Sequence, residues 1–321
     1  MKNEFPKYTP SHYKKLMSTL DPVELYGGYS VKRGDNFHLG SIVGSKVRQC
    51  LHVVHTNLDH IKKYCNGGIL TAAGLPSPQT MIVSAVAKYF GLKCAITTPK
   101  FDNTKKDFNR INASMAQKLG ADIYGVGNPN PAGPECDAKY LVKELGYYQI
   151  KFGMCGDVAM QPVANQVQNI PNYISDIVII SGSGLSALSI MLGISMFKKK
   201  VKTVHAVCLS NHILKNKEKW FDDNPLSENW KGKLNLIQSS INYRTEYKWN
   251  KSFDWDLTYE SKAYKWMTDN FKPSKKVLFW VVGRKLYDLN LIEPIKWHMS
   301  EHEKELREPI SNPIDNFFVS I

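Results

Sequence analysis

From Asp176 to Leu209 the chain runs as an apolar stretch, a small-residue turn, a helical pattern and a second apolar stretch. Asp176 to Ile180 reads as a strand, Ser186 to Phe197 as a helix and Thr203 to Leu209 as the next strand. Two strands separated by a whole helix pair in parallel, because an antiparallel pair needs only a short turn. The stretch Ile174 to Phe197 is long enough to suggest a membrane span. Asp176 near its start and Ser181-Gly182-Ser183-Gly184 in its middle break it instead into strand, turn and helix. The same alternation recurs in a helix Thr80 to Phe90 followed by a strand Lys93 to Thr97, and in a late strand Val277 to Val282. Gly91 and Gly120 supply helix-to-strand turns. The expectation is an α/β protein with mostly parallel sheets.

A chain of 321 residues has room for two such units. Its 42 Lys+Arg against 29 Asp+Glu leave a net charge of +13, which favours an anionic partner such as nucleic acid, phosphate or a membrane surface. Lysines cluster at Lys198-Lys199-Lys200-Lys202, Lys215-Lys217-Lys219, Lys231-Lys233 and Lys248-Lys251, with Trp220, Trp230 and Trp249 interleaved. Lysines with aromatics suit contact with DNA through phosphate neutralisation and base stacking. The six cysteines are scattered, without a C-x-x-C or a zinc spacing, so no metal site is expected. The residues Met1 to Tyr13 are polar rather than a secretory signal. Free thiols, no export and no span point to a cytoplasmic protein. Asn128 to Gly133 reads as a loop, Asn211 to Asp256 as a polar stretch, and Glu301, Glu303, Glu305 and Glu308 as a solvated helix face.

Three glycine-containing stretches carry candidate chemistry. In Gly44-Ser45-Lys46-Val47-Arg48 a lysine stands at the start of a helical pattern, where the macrodipole opposes its charge and eases deprotonation to the form that makes imines. The spacing is not that of a Walker A loop. Gly182-Ser183-Gly184-Leu185-Ser186 sits between strand and helix, as a phosphate cradle does and as a tight structural turn also does. Gly67-Gly68-Ile69 followed by Ser77-Pro78-Gln79-Thr80 is either a loop and helix cap or part of a site.

In this order the pieces resemble the fold-type II pyridoxal-phosphate enzymes, and within them the 1-aminocyclopropane-1-carboxylate deaminase and D-cysteine desulfhydrase group. Val31-Lys32-Arg33-Gly34-Asp35 and Gly44-Ser45-Lys46-Val47-Arg48 match that group's V-K-R-x-D and G-N-K-x-R, with Ser45 in place of Asn. Gly182 to Ser186 matches its phosphate loop, and Tyr259-Glu260-Ser261-Lys262 its Y-E-G-K-S. Val277 to Gly283 resembles its late strand without the His and Thr that follow there. The resemblance implies a two-domain, tryptophan synthase beta-like fold, each domain a mostly parallel sheet flanked by helices. Residues 1–49 and 161–321 would form the larger domain and 50–160 the smaller, inserted one. It also implies a homodimer.

The resemblance makes Lys46 the residue that holds pyridoxal 5'-phosphate as an imine. Gly182, Ser183, Gly184, Leu185 and Ser186 would anchor the phosphate, and Glu260 would face the pyridine nitrogen. Gln79 is a further cofactor contact, and Tyr259, Tyr247 and Ser77 join Lys46 as catalytic candidates. A carboxylate at the pyridine nitrogen keeps the ring protonated and favours carbanion chemistry at Cα. Pro78 stands where the group has an Asn that touches the cofactor, and it has no donor. The implied function is a lyase activating the Cα of an amino-acid-type substrate by decarboxylation, deamination or β-elimination. The basic clusters extend this to an amino-acid-modified thymine in viral DNA. The alternatives are a deaminase or desulfhydrase on a free small amino acid, a non-catalytic nucleic-acid-binding protein on the same scaffold, and a nicotinamide oxidoreductase using the Ser-Gly-Ser-Gly loop.

Overall fold

The computed structural model describes residues 5–302 and 304, except 105–106, 127–131, 155, 210–233, 243–244, 248–255, 285 and 287. The helices are α1 (Pro10–Ser18), α2 (Ser45–Thr56), α3 (Leu58–Tyr64), α4 (Gln79–Phe90), α5 (Ile111–Lys118), α6 (Ala132–Leu145), α7 (Gln161–Ala164), α8 (Leu185–Met196) and α9 (Glu260–Asn270). The strands are β1 (Val23–Tyr26), β2 (Tyr29–Arg33), β3 (His38–Leu39), β4 (Ile42–Val43), β5 (Gly68–Ala72), β6 (Lys93–Pro99), β7 (Asp122–Val126), β8 (Tyr148–Ile150), β9 (Asp176–Ser181), β10 (Thr203–Cys208), β11 (Leu234–Gln238), β12 (Val277–Val281) and β13 (Trp297–His298).

The large sheet has the order β1-β2-β12-β9-β10-β11 and is parallel apart from the β1–β2 hairpin. The second sheet, β13-β7-β6-β5-β8, is parallel throughout. Side chains alternate across the strands with period two. Val277, Phe279 and Val281 on β12 and Val178 and Ile180 on β9 pack with Ala263, Tyr264 and Met267 of α9. Leu278, Trp280, Ile177 and Ile179 face the other way, into the core that contains Leu185, Leu188 and Met191 of α8. On the second sheet Leu70, Ala72, Ala95 and Tyr124 pack on Ala138 and Leu141 of α6. Helices thus cover both faces of both sheets, as buried parallel strands require.

The expected strands and helices stand within about two residues of where the sequence puts them. Two expectations differ. Ala132 and Gly133 belong to α6 rather than to a loop, because Pro134 falls in the first turn, where its missing N–H costs nothing. Residues 297–298, expected in the larger domain, form β13 against β7. Gly125 permits this, since a β-carbon there would lie 2.6 Å from a Trp297 ring carbon. Glu301 lies on an exposed helical turn, paired with Lys304 at 2.6 Å, while Glu303, Glu305 and Glu308 lie outside the described residues. So do most of the polar 211–256 stretch and three of its lysine clusters with their tryptophans. Cys50, Cys65, Cys94, Cys136 and Cys208 are free thiols. No helix among the described residues is long and apolar enough to cross a membrane.

Candidate active site

Parallel sheets gather loops at the C-terminal ends of their strands, and ligands bind in that crevice. At this end of β12 one peptide binds both Ser45, which precedes Lys46, and Glu260. The Val282 carbonyl accepts from the Ser45 N–H (2.8 Å) and the Ser45 Oγ (2.9 Å), which pins the first residue of α2. The Val282 and Gly283 N–H groups donate to the Glu260 Oε1, at 3.1 and 3.0 Å, which pins the first residue of α9. Gly44, at φ 113°, lets the chain turn into α2 with Val282 O only 3.0 Å from where a β-carbon would stand. Lys46 follows Ser45 in the first turn of α2 and is half-buried.

Glu260 is fully buried and has no ion-pair partner among the described residues. Burial first, and the neighbouring Asp256 charge second, push its carboxyl well above the usual range, against the pull of the Gly283 and Val282 N–H donors. Tyr259 caps α9 and donates its N–H to the Asp256 Oδ1, 3.1 Å away. Lys262 Nζ donates to the Asn242 carbonyl (2.8 Å), and burial lowers its pKa to about 8. The Tyr247 N–H donates to the Leu257 carbonyl (2.9 Å), and its ring lies 5.9 Å from Lys265 Nζ, a residue facing solvent on α9.

The remaining expected residues meet through a segment that the sequence does not single out. Gly184 is left-handed, at φ 88°, and starts α8, with Leu185 buried behind it and Ser186 half-buried. The Ser183 Oγ donates weakly, at 3.4 Å, to the Gly153 carbonyl. The Gly153 N–H donates to the Gln79 Oε1 at 2.8 Å, and the Gln79 Nε2 donates to the Thr71 Oγ1 (2.7 Å) and the Lys151 carbonyl (3.0 Å). Ser77 Oγ accepts from the Gln79 N–H at 3.3 Å. Gln79 therefore fastens α4 to residues 151–153, and those residues to the glycine loop of the other sheet.

A buried ion pair holds α2 from behind. Arg48 Nη2 lies 2.6 Å from Asp21 Oδ1, its Nη1 donates to the Leu16 and Thr19 carbonyls, and its guanidinium stacks 3.9 Å from the Phe37 ring centre. Lys32 Nζ, fully buried, donates to the Asp21 carbonyl and to Asn169 Oδ1. Desolvation lowers its pKa to about 7, against the attraction of Asp21. The V-K-R and K-x-R patterns contain Lys32 and Arg48, but no spacing in the sequence points to Asp21 or Asn169.

The two parallel sheets, with a lysine, a carboxylate and a glycine loop at their facing ends, have the fold of the fold-type II pyridoxal-phosphate enzymes. No family model matches the sequence. The chain is 23% identical over 350 aligned positions to the O-seryl-dTMP PLP-dependent decarboxylase of Salmonella phage ViI, covering 86% of this chain and 79% of that protein. Among solved structures, an ACC deaminase homologue aligns with a TM-score of 0.63 at 18% identity, over 86% of this chain and 95% of its own. A pyridoxal 5'-phosphate-dependent aspartate racemase aligns with a TM-score of 0.62 at 15% identity, over 90% and 99%. Threonine deaminase isoform 2 from Solanum lycopersicum gives 0.62 at 12%, over 90% and 88%.

Proposed function

We propose that the protein is a pyridoxal-phosphate-dependent lyase that removes the α-carboxylate of a serine carried on a thymidylate, with DNA as the polymer that bears it. The observation that carries this reading is that the Val282–Gly283 peptide holds both Ser45, the neighbour of Lys46, and Glu260. The phage relative, whose name states decarboxylation of O-seryl-dTMP, supports the choice of substrate and bond.

The residues present fit the cofactor's three handles. Lys46 offers an amine to its aldehyde. Glu260 is a buried carboxyl whose ionised form is costly until a protonated ring nitrogen faces it. Ser183 and Gly184 offer backbone N–H groups at a helix start to its phosphate, and a β-carbon at Gly182 would meet nothing within 4 Å. When bound, the group supplies an electron sink for charge developing at Cα. Lys46 Nζ holds the proton that Cα takes up once the carboxylate has left, and Tyr259, adjoining Glu260, is the second candidate donor. The start of α4 supports decarboxylation in particular. Pro78 has no N–H, Ser77 Oγ takes up the Gln79 N–H, and the Gln79 amide is bound on both sides. Residues 77–79 therefore leave no N–H of their own for a substrate carboxylate, and the buried Thr80 Oγ1, without a partner among the described residues, is a hydroxyl that remains there.

The test is the visible spectrum of the purified protein, borohydride reduction with mass mapping, and turnover of seryl-thymidine monophosphate. The expected result is a pyridoxyl group on Lys46 and release of carbon dioxide with the corresponding amine. Pyruvate or 2-oxobutyrate with ammonia from a free amino acid would establish the deaminase reading instead. A colourless protein left unmodified by pyridoxal phosphate would leave the non-catalytic one.

A further inference from the structure

The two turns at the N-terminal ends of β9, β10 and β12 are drawn from distant parts of the sequence. The turn between α8 and β10 supplies Lys198, Lys200 and Lys202, and the turn between α9 and β12 supplies Lys272, Lys275 and Lys276. All six are exposed, and none is in an ion pair among the described residues. Ser175 joins the turns, accepting from the Lys202 N–H at 2.6 Å and donating to the Lys276 carbonyl at 2.9 Å. Lys202 and Lys276 precede the strands on either side of β9, which sets their backbones about 10 Å apart. Lys199 Nζ is spent on the Gln168 and Ile170 carbonyls, at 2.8 Å each, fixing the turn that leads to Tyr173. Tyr173 is 47% exposed, and Lys275 Nζ lies 5.5 Å from its ring centre. Asp176 is engaged with His205 and Ser175, and Asp269 with Lys265. Six uncompensated ammonium groups beside an open aromatic ring form an electropositive edge.

We propose that this edge docks the phosphate backbone of duplex DNA and tethers the enzyme to the polymer that carries its substrate. The choice of DNA over another polyanion rests on the seryl-thymidylate reading; the surface itself does not. The edge lies opposite the site, because the six residues of β9 run from Asp176 to Ser181, a span of about 17 Å. A duplex is about as wide as that span, so the helix seated on the lysines does not present its own bases to Lys46. It holds the enzyme while another stretch of the same polymer enters the cleft, which raises the effective concentration of target bases. A tether of this kind lowers the KM for long DNA, leaves kcat alone and does nothing for a free nucleotide.

The experiment compares the full chain with a variant carrying Lys200→Glu, Lys202→Glu, Lys275→Glu and Lys276→Glu, and with the milder Lys→Gln set at the same positions. Binding of an unmodified duplex of about thirty base pairs is followed by anisotropy across a salt series, alongside anionic phosphatidylserine vesicles. The wild type is expected to bind the duplex with a steep salt dependence. The Glu set should lower the log–log slope by roughly 3 to 4, at about 0.9 for each phosphate that is no longer neutralised. KM for long seryl-thymidine DNA should rise at least about tenfold in the variant at constant kcat, with turnover of the free nucleotide equal in both proteins. Equal salt slopes in wild type and both variants, no duplex binding by the wild type, or a preference for vesicles over duplex would each overturn the proposal. If neither protein decarboxylates the free nucleotide, the substrate reading fails, while the duplex-binding arm still decides the surface.

Discussion

Two polar turns face each other across the cleft, one leading into α8 from the large sheet and one into α4 from the second sheet. Their donors are spent in opposite ways. Ser183 and Gly184 bring their N–H groups to the start of a 12-residue helix, with one long side-chain contact from Ser183 to Gly153. Residues 77–79 spend theirs inside the protein, on each other and on Thr71, Lys151 and Gly153. In the proposed function the first turn receives an anion; the second is a bracket that ties α4 to residues 151–153. Under the proposed function the difference assigns ligand contact to the first turn and structural bracing to the second.

Substitutions on each side should separate ligand effects from stability effects. Lys46→Ala has the largest expected effect, a loss of turnover of roughly 10²–10⁴-fold or more from the lost base alone, with a melting temperature close to wild type. Steady-state carbon dioxide release and a thermal melt measure the two. Gln79→Ala comes next and falls on the other side. Removing its amide strands the buried Gly153 N–H and Thr71 Oγ1, at a cost of about 1–3 kcal/mol for each group left unpaired. Urea denaturation should show that loss, with a smaller change in pyridoxal phosphate affinity. Gly184→Ala reverses the pattern: a left-handed residue other than glycine costs roughly 1–2 kcal/mol, and the displaced N–H groups weaken cofactor binding by about tenfold. If Gln79→Ala weakened the cofactor more than Gly184→Ala, the contrast between the two turns would collapse.

The sequence carries the α/β alternation and the Lys46, Glu260 and Ser183 positions because each is local. A helix or strand period, or a glycine beside a lysine, is legible within ten residues. The bracket is not. Gln79 and Gly153 are 74 residues apart, and Gly153 is an unremarkable glycine until the fold sets its N–H against an amide. Asp21 escapes for the same reason, since its partner Arg48 is 27 residues away and its importance comes from burial, which no charge pattern shows. The basic edge is half legible. Lys198 to Lys202 form a visible run, whereas Lys272, Lys275 and Lys276 join them only through the β9–β12 pairing.

The smallest expected effect concerns the lysine that the fold buries beside the one it uses. Lys32 lies in the strand next to β12, its Cα paired with that of Trp280, beneath the start of α2. In the unfolded chain its amine titrates near the ordinary lysine value; in the folded protein desolvation brings it to about 7. Between those values the unfolded chain holds a proton that the folded protein has released, so stability rises with pH from about 7 toward 10, by at most about 1.4 kcal/mol per unit for this group. Lys262, lowered to about 8, acts with the same sign over the upper part of that window. Tyr13, Tyr89 and Tyr264, raised to about 12, act with the opposite sign above 10 and so close the window. Urea midpoints at pH 7, 8 and 9 should therefore climb in the wild type and climb less in Lys32→Met, which keeps the Lys262 and Lys199 shares and the opposing effect of the buried Cys50 and Cys94 thiols, raised by desolvation. An unchanged slope in Lys32→Met would mean that Asp21 and Asn169 hold the Lys32 proton throughout. The network behind α2 would then be a fixed ion cluster.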